Sequence, residues 1–232
     1  MHVLIIHAHH EPASFCSAMA ETAANTLSQQ GHQITMSDLY AMSWNPVASA
    51  DDFTSRDNPN YLNYALEQRE GWASQTLAPD IMAEVEKLLA ADLLILNFPL
   101  YWFSVPAILK GWFDRVLISG VTYGGKRLFD HGPLKGKKAL LTCTLGGRDD
   151  MFDHDGIHGD IEILLKPILQ GTLGYVGMDV LAPFYGFHVP YISNNERADI
   201  LASYTKRLIG ITDELPLNMP SLNDYDDKLK KR

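Results

Sequence analysis

Short runs of consecutive apolar residues alternate along the chain with longer stretches in which apolar residues recur every three or four positions. Val3 to His7 predicts a buried strand, and residues 14 to 29 place Phe15, Ala18, Met19, Thr22, Ala23, Thr26 and Leu27 at helical spacing, with Gly31 as the stop. Gln33 to Tyr40 predicts a second strand. Residues 41 to 78 carry scattered Pro, Asn, Asp and Ser without a sustained period, which reads as a long excursion with a short helix near residues 61 to 71. Pro79-Asp80 opens a helix with Ile81, Val85, Leu88 and Leu89 on one face, and the strand Leu93 to Phe98 follows. A helix from Pro106 to Ile118, a Gly-rich excursion from Gly120 to Gly136 and a strand from Lys138 to Thr144 come next. Residues 161 to 175 read as helical with a kink or break at Pro167; Val180 to Phe187 reads as a fifth strand and Asn194 to Ile209 as a closing helix.

Five strands alternating with helices predict an α/β domain, a doubly wound five-stranded parallel sheet of order 2-1-3-4-5 with helices on both faces. One such domain fills residues 1 to 217, and residues 218 to 232 form a C-terminal tail ending in the solvated basic run Lys228 to Arg232. No apolar run is long enough to cross a bilayer, and the N-terminus has no secretory pattern, so a cytoplasmic location is expected with no stable membrane insertion. The net charge of −9 argues against nucleic acid as the main partner. The two cysteines, Cys16 and Cys143, lie far apart in sequence and fit a reducing compartment.

In this order the ligand belongs at the carboxyl ends of strands one, three and four. Three motifs meet there. Phe98-Pro99-Leu100-Tyr101-Trp102-Phe103-Ser104-Val105-Pro106 closes a buried strand with three adjacent aromatics fenced by prolines, a flat apolar wall suited to a flat redox-active ring. The loop His7 to Cys16 leads to a helix N-terminus, where free N–H groups and the dipole favour phosphate and where His9 and Ser14 can add donors. It lacks G-x-G-x-x-G, which disfavours a nicotinamide-type Rossmann loop. Thr144-Leu145-Gly146-Gly147 lets backbone N–H groups approach a ligand edge. Anchor, stacking surface and edge donors together fit a flavin. His154 and His158 stand four apart, but Gly156 and Gly159 argue against a helix there, so no metal site is expected.

These residues carry a family resemblance. Ser37 to Met42, Phe98-Pro99-Leu100 with Trp102-Phe103, Val105 to Phe113, and Gly156-Ile157-His158-Gly159-Asp160 resemble the NAD(P)H:quinone oxidoreductase family of DT-diaphorase type, with a likeness running from about residue 3 to Leu217. The resemblance implies a flavodoxin-like fold, FAD as cofactor, NAD(P)H as electron donor, a small-molecule quinone as acceptor, and a homodimer with its active site at the subunit interface. It implies that His9, Phe15, Cys16 and Ala18 line the pyrophosphate and ribityl site, and that Pro99, Leu100, Tyr101, Trp102 and Phe103 stack on the flavin. Thr144, Leu145, Gly146 and Gly147 would bond the pyrimidine edge, and Arg197 would hold the adenine half. Asn63, beside Tyr64, falls where the second subunit meets the cofactor; Tyr123, Gly125 and Leu128 fall where a partner loop closes on the substrate, with Tyr175 and Trp102 as further walls.

The family sets a tyrosine and a histidine beside the flavin. Here the histidine is His158, while the tyrosine position holds Phe152, which by the resemblance would pack against cofactor and substrate but cannot donate a hydrogen bond. The charge on the reduced ring then falls to His158 and the Gly146 and Gly147 amides, with Arg148 as a further candidate. Cys16 replaces an asparagine and Tyr101 a glutamine; at a helix N-terminus Cys16 is either a thiol of lowered pKa or an inert buried one. Two other readings of the same fold are a flavin-binding regulatory subunit, like the ancillary proteins of potassium-efflux systems, and a one-electron FMN carrier. The acidic composition gives the first no specific support, and the first loop lacks the Ser/Thr/Gly-rich FMN phosphate loop the second would use.

Overall fold

The computed structural model describes residues 1–232. The element order is β1 (His2–His7), α1 (Phe15–Gln29), β2 (Gln33–Asp38), α2 (Tyr64–Ser74), α3 (Pro79–Ala90), β3 (Leu93–Pro99), α4 (Ala107–Val116), β4 (Lys138–Thr144), α5 (Ile161–Leu164), α6 (Lys166–Ile168), β5 (Asp179–Val180), β6 (Phe184–Gly186) and α7 (Asn194–Ile209). All pairings are parallel, in the order β2-β1-β3-β4-β5, with β6 also on β4. No helix is long and apolar enough to cross a membrane.

The strands are nearly continuous apolar runs because both faces are covered. Alternate residues serve the two faces: Val3, Ile5, Leu93, Ile95 and Leu140 pack under α1 and α7, while Leu4, Ile6, Leu94, Leu96, Phe98 and Leu141 pack under α3 and α4. Helix ends follow their caps. Ser14 caps α1 by accepting from Ser17 N, and Ser193 with Glu196 forms a capping box at α7, each worth about 1 kcal/mol. β2 ends at Asp38 rather than Tyr40 because the Asp38 carboxylate accepts from Tyr40 N and Ala41 N and turns the chain.

Two elements depart from their periodicity. The expected fifth strand is split into β5 and β6, because Pro183 has no N–H for the ladder and the Ala182 and Pro183 carbonyls turn to the Arg207 guanidinium on α7. The helical run after Ile161 breaks at Leu165, just ahead of Pro167, into two short pieces, and a π-helical turn over Leu169–Gly174 follows.

The excursion 41–78 is pinned to α4. Arg115 is 3% exposed; its guanidinium donates to Asp52 (2.8 and 3.1 Å), Asp80 (2.9 Å) and Asn45 O (2.9 Å), and lies 4.5 Å from the Trp44 ring centroid. The Tyr64 hydroxyl donates to the second Asp52 oxygen at 2.5 Å, and burial together with that carboxylate pushes the phenol pKa up. The start of the C-terminal tail is docked: Ser221 Oγ and Leu222 N donate to the Asp130 carboxylate, Met219 packs on Gly174, and residues 226–232 are exposed.

Candidate active site

A cleft of about 610 Å³ opens at the carboxyl ends of β1, β3 and β4. It brings together His9, Phe15, Cys16, Ala18, Pro99, Leu100, Tyr101, Thr144, Leu145, Gly146 and Arg197, eleven of the residues that the sequence assigns to the cofactor. Ala13, Val189, Pro190 and Asn194 also line it and escaped the sequence reading. Their signal was positional, since the last three follow the fifth strand of the sheet at its carboxyl end.

At the N-terminus of α1, the N–H groups of Phe15 and Cys16 have no acceptor within the chain. His9 Nδ1 accepts from Glu11 N at 3.0 Å, which leaves Nε2 to donate; burial, with His10 stacked beside it, lowers the His9 pKa. Ser14 does not supply the donor expected of it. Ser17 Oγ donates to Glu11 O at 2.9 Å, so the 2.9 Å contact between the two hydroxyls is donated by Ser14, whose only proton is thereby engaged. Cys16 is 1% exposed, and burial pushes its thiol up to about 12, so this is the inert neutral thiol rather than the activated one.

The second donor pair is set by a residue the sequence did not single out. Val189 N donates to Leu145 O (3.1 Å), His188 Nδ1 lies 2.9 Å from Gly146 O, and His188 N donates to Gly147 O (2.9 Å). Three successive carbonyls thus face residues 188 and 189. In a trans peptide the following N–H points the opposite way, so the Gly146 and Gly147 amides are turned from that segment and have no acceptor within the chain. Arg197, also in the lining of the cleft, donates to Val189 O (2.8 and 3.2 Å) and Asn194 Oδ1 (2.9 Å).

The aromatic corner is a tight turn. Tyr101 and Ser104 exchange both backbone hydrogen bonds at 3.0 Å, and Trp102 and Phe103 occupy the left-handed region with φ of 50° and 58°. Two bulky residues in this geometry store about 1–2 kcal/mol each, which identifies the corner as a place where conformation is imposed. Trp102 is 95% exposed and does not line the cleft. Phe103 joins a second cluster, 5.2 Å from the His158 ring and 6.4 Å from Phe152, and Phe152 lies 4.8 Å from His158 and 6.1 Å from Phe187. Gly147 backs onto this cluster, since a Cβ there would meet Phe152 Cε2 at 2.6 Å. Arg148 pairs with Asp150 in solvent.

Asn63, Tyr123, Gly125, Leu128 and Tyr175 do not line the first cleft. Asn63 caps α2, and Tyr64, Tyr123 and Tyr175 line a separate cleft of about 520 Å³ with Phe113 of α4 and Leu117 just after it. The Tyr123 and Tyr175 rings are 6.2 Å apart; Leu128 is buried, and Gly125 sits in the same loop with φ of 61°.

A family model describing a flavodoxin-like fold matches residues 1–208. The ribosyldihydronicotinamide dehydrogenase (quinone) of Mus musculus is 45% identical over 93% of this chain and 94% of its own length. The NAD(P)H dehydrogenase (quinone) 1 of Cavia porcellus is 44% identical over 96% of this chain and 82% of its own. A structure described as a quinone reductase from Klebsiella pneumoniae superposes with a TM-score of 0.93 at 36% identity, covering 100% of this chain and 94% of the other. With that fold, that cleft and these relatives, the chain belongs to the flavodoxin-like family of NAD(P)H dehydrogenases (quinone) and is an oxidoreductase.

Proposed function

We propose that the protein reduces quinones by two electrons at the expense of NAD(P)H, with FAD in the 610 Å³ cleft. The observation that carries the reading is the pairing of free N–H groups, Phe15 with Cys16 and Gly146 with Gly147; all of these but Gly147 line the cleft, together with the Pro99 to Tyr101 wall. The first pair suits a pyrophosphate and the second the pyrimidine edge of a flavin. The extension of the cleft to Val189, Pro190, Asn194 and Arg197 favours FAD over the shorter FMN. Bound there, a flavin would take a hydride from the nicotinamide and pass it to the quinone in two successive half-reactions.

The chain's own groups do the rest. The Gly146 and Gly147 amides, aimed by His188, supply fixed dipoles where negative charge develops. The His158 ring, held between Phe103 and Phe152, has its nitrogens free of partners within the chain and adds a donor to that charge. Phe152, 7% exposed, excludes water from the same recess but donates nothing. His158→Gln is expected to slow flavin reduction by NAD(P)H about ten-fold, the worth of one hydrogen bond to a charged group. Stopped-flow absorbance reads it directly, and an unchanged rate would remove His158 from the site.

The exposed Trp102, and the placing of Tyr123, Gly125, Leu128, Tyr175 and Asn63 outside the cleft, support a homodimer in which a second copy roofs the flavin. The test of the whole reading is to purify the protein, release and identify its flavin, bleach it with NAD(P)H and restore the colour with menadione, while light scattering reports the mass. FAD, bleaching, recovery and a dimer are expected. Bound FMN without nicotinamide-dependent bleaching would favour a carrier instead.

A further inference from the structure

The sheet face under α1 is apolar through its centre and turns polar at the carboxyl ends of its strands. Along β1 that face carries Val3, Ile5 and then His7; along β3 it carries Leu93, Ile95 and then Asn97; along β4, Leu140 and then Thr142. His7, Asn97 and Thr142 are 4%, 1% and 0% exposed. Burying polar groups there is costly unless each is satisfied, and each is.

The hydrogen-bond directions are forced. Asn97 Nδ2 is 2.9 Å from Cys16 O, which can only accept, and Asn97 Oδ1 takes the Thr142 hydroxyl at 2.8 Å. The same Nδ2 is 2.9 Å from His7 Nδ1 and 3.3 Å from Cys16 Sγ; with its second proton on the shorter contact, His7 Nδ1 is bare and accepts. His7 Nε2 therefore carries the proton and donates to Ser17 Oγ at 3.0 Å. Ser17 Oγ passes its own proton to Glu11 O and accepts from Ser14. One neutral tautomer of His7 thus fixes Cys16 and Ser17 in the first turn of α1 and Glu11 in the loop before it, the segment whose Phe15 and Cys16 N–H groups are free.

We propose that His7 is a positioning residue for the cofactor, holding the anion-binding end of α1 in register with the sheet only while its ring is uncharged, so that flavin retention weakens on acidification. The inference rests on a flavin occupying the cleft. A protonated Nδ1–H would oppose the Asn97 amide, and turning that amide over would set its oxygen against Cys16 O. The charged and titratable groups around the ring are Asp38 on β2, Glu21 on α1, His9 in the loop and the neutral Cys16 thiol. Asp38, the Asn97 backbone and Glu21 favour the cation, while burial and His9 oppose it; burial is the largest influence, and the His7 pKa lies below its usual value. A bound pyrophosphate would itself draw a proton to His7, so the sign of the pH effect separates the two forces.

The test measures FAD affinity of the apoprotein by fluorescence quenching between pH 5 and 8, with long-range ¹⁵N NMR of His7. The wild type is expected to show a neutral Nε2–H ring at pH 7 and to bind FAD at least ten-fold more weakly at pH 5 than at pH 7.5. His7→Gln, whose amide can accept from Asn97 and donate to Ser17, should bind within about three-fold of wild type at pH 7.5 and lose most of the pH dependence. His7→Leu should bind about ten-fold more weakly at pH 7.5. A cationic or Nδ1–H ring at pH 7, wild-type affinity in His7→Leu, or an unchanged pH profile in His7→Gln would each overturn the proposal. Absence of FAD binding by the wild type at pH 7.5 would defeat the functional reading instead, with the NMR still reporting the His7 tautomer.

Discussion

Arg115→Leu is expected to cost about 3–5 kcal/mol of folding stability, the range for removing one partner of a buried ion pair. The guanidinium faces Asp52, which is 1% exposed, and without it that carboxylate keeps only the Tyr64 hydroxyl and its own capping contact to Ser49 N. Asn45 O also loses its donor, and the Trp44 ring its cation. The damage falls on the excursion 41–78, because Arg115 is what ties Trp44, Asn45, Asp52 and Asp80 to α4. Arg115→Lys should recover only part of the loss, since an ammonium cannot reproduce a fork that reaches Asp52, Asp80 and Asn45 at once. Urea unfolding at constant m-value measures the difference. A loss below about 1 kcal/mol would mean that the pair adds little beyond what packing supplies.

That pair also marks the limit of what was legible in the sequence. The strands of β1, β3 and β4 announced themselves as apolar runs, and the helices α1, α3, α4 and α7 through period and caps; with right-handed crossovers these fixed the strand order and hence the crevice. The excursion carried no period because its order comes from contacts such as Asp52 to Arg115, 63 positions apart, which no local pattern reports. The same holds for His188, whose aim at Gly146 and Gly147 depends on the fifth strand returning beside β4. The turn at Trp102 and Phe103 was hidden for a different reason. Left-handed geometry is normally signalled by Gly or Asn, and here two aromatics are held in it against their preference. The split of the last strand was written in Pro183 but outweighed by the apolar run around it.

Gly147→Ala tests the donor side of the cleft and is expected to slow flavin reduction by about 10²-fold, the scale for losing one preorganised donor. Gly147 is not among the positive-φ glycines, so alanine suits its backbone; the obstacle is Phe152, whose Cε2 would stand 2.6 Å from the new methyl. A free phenyl ring would swing aside. This one is 7% exposed and fenced by Phe103, His158 and Phe187, so the strain passes back into the loop and displaces the Gly147 amide from the direction that His188 gives it. Shortening the obstacle should therefore restore function: Gly147→Ala with Phe152→Leu is expected to regain at least ten-fold over Gly147→Ala alone, a reversal that simple loss of packing would not produce. Stopped-flow reduction of enzyme matched for bound flavin gives both rates. Wild-type speed in the single variant, or no recovery in the double, would show that the Gly147 amide does not act on the ring and that the donors lie elsewhere along residues 145–148.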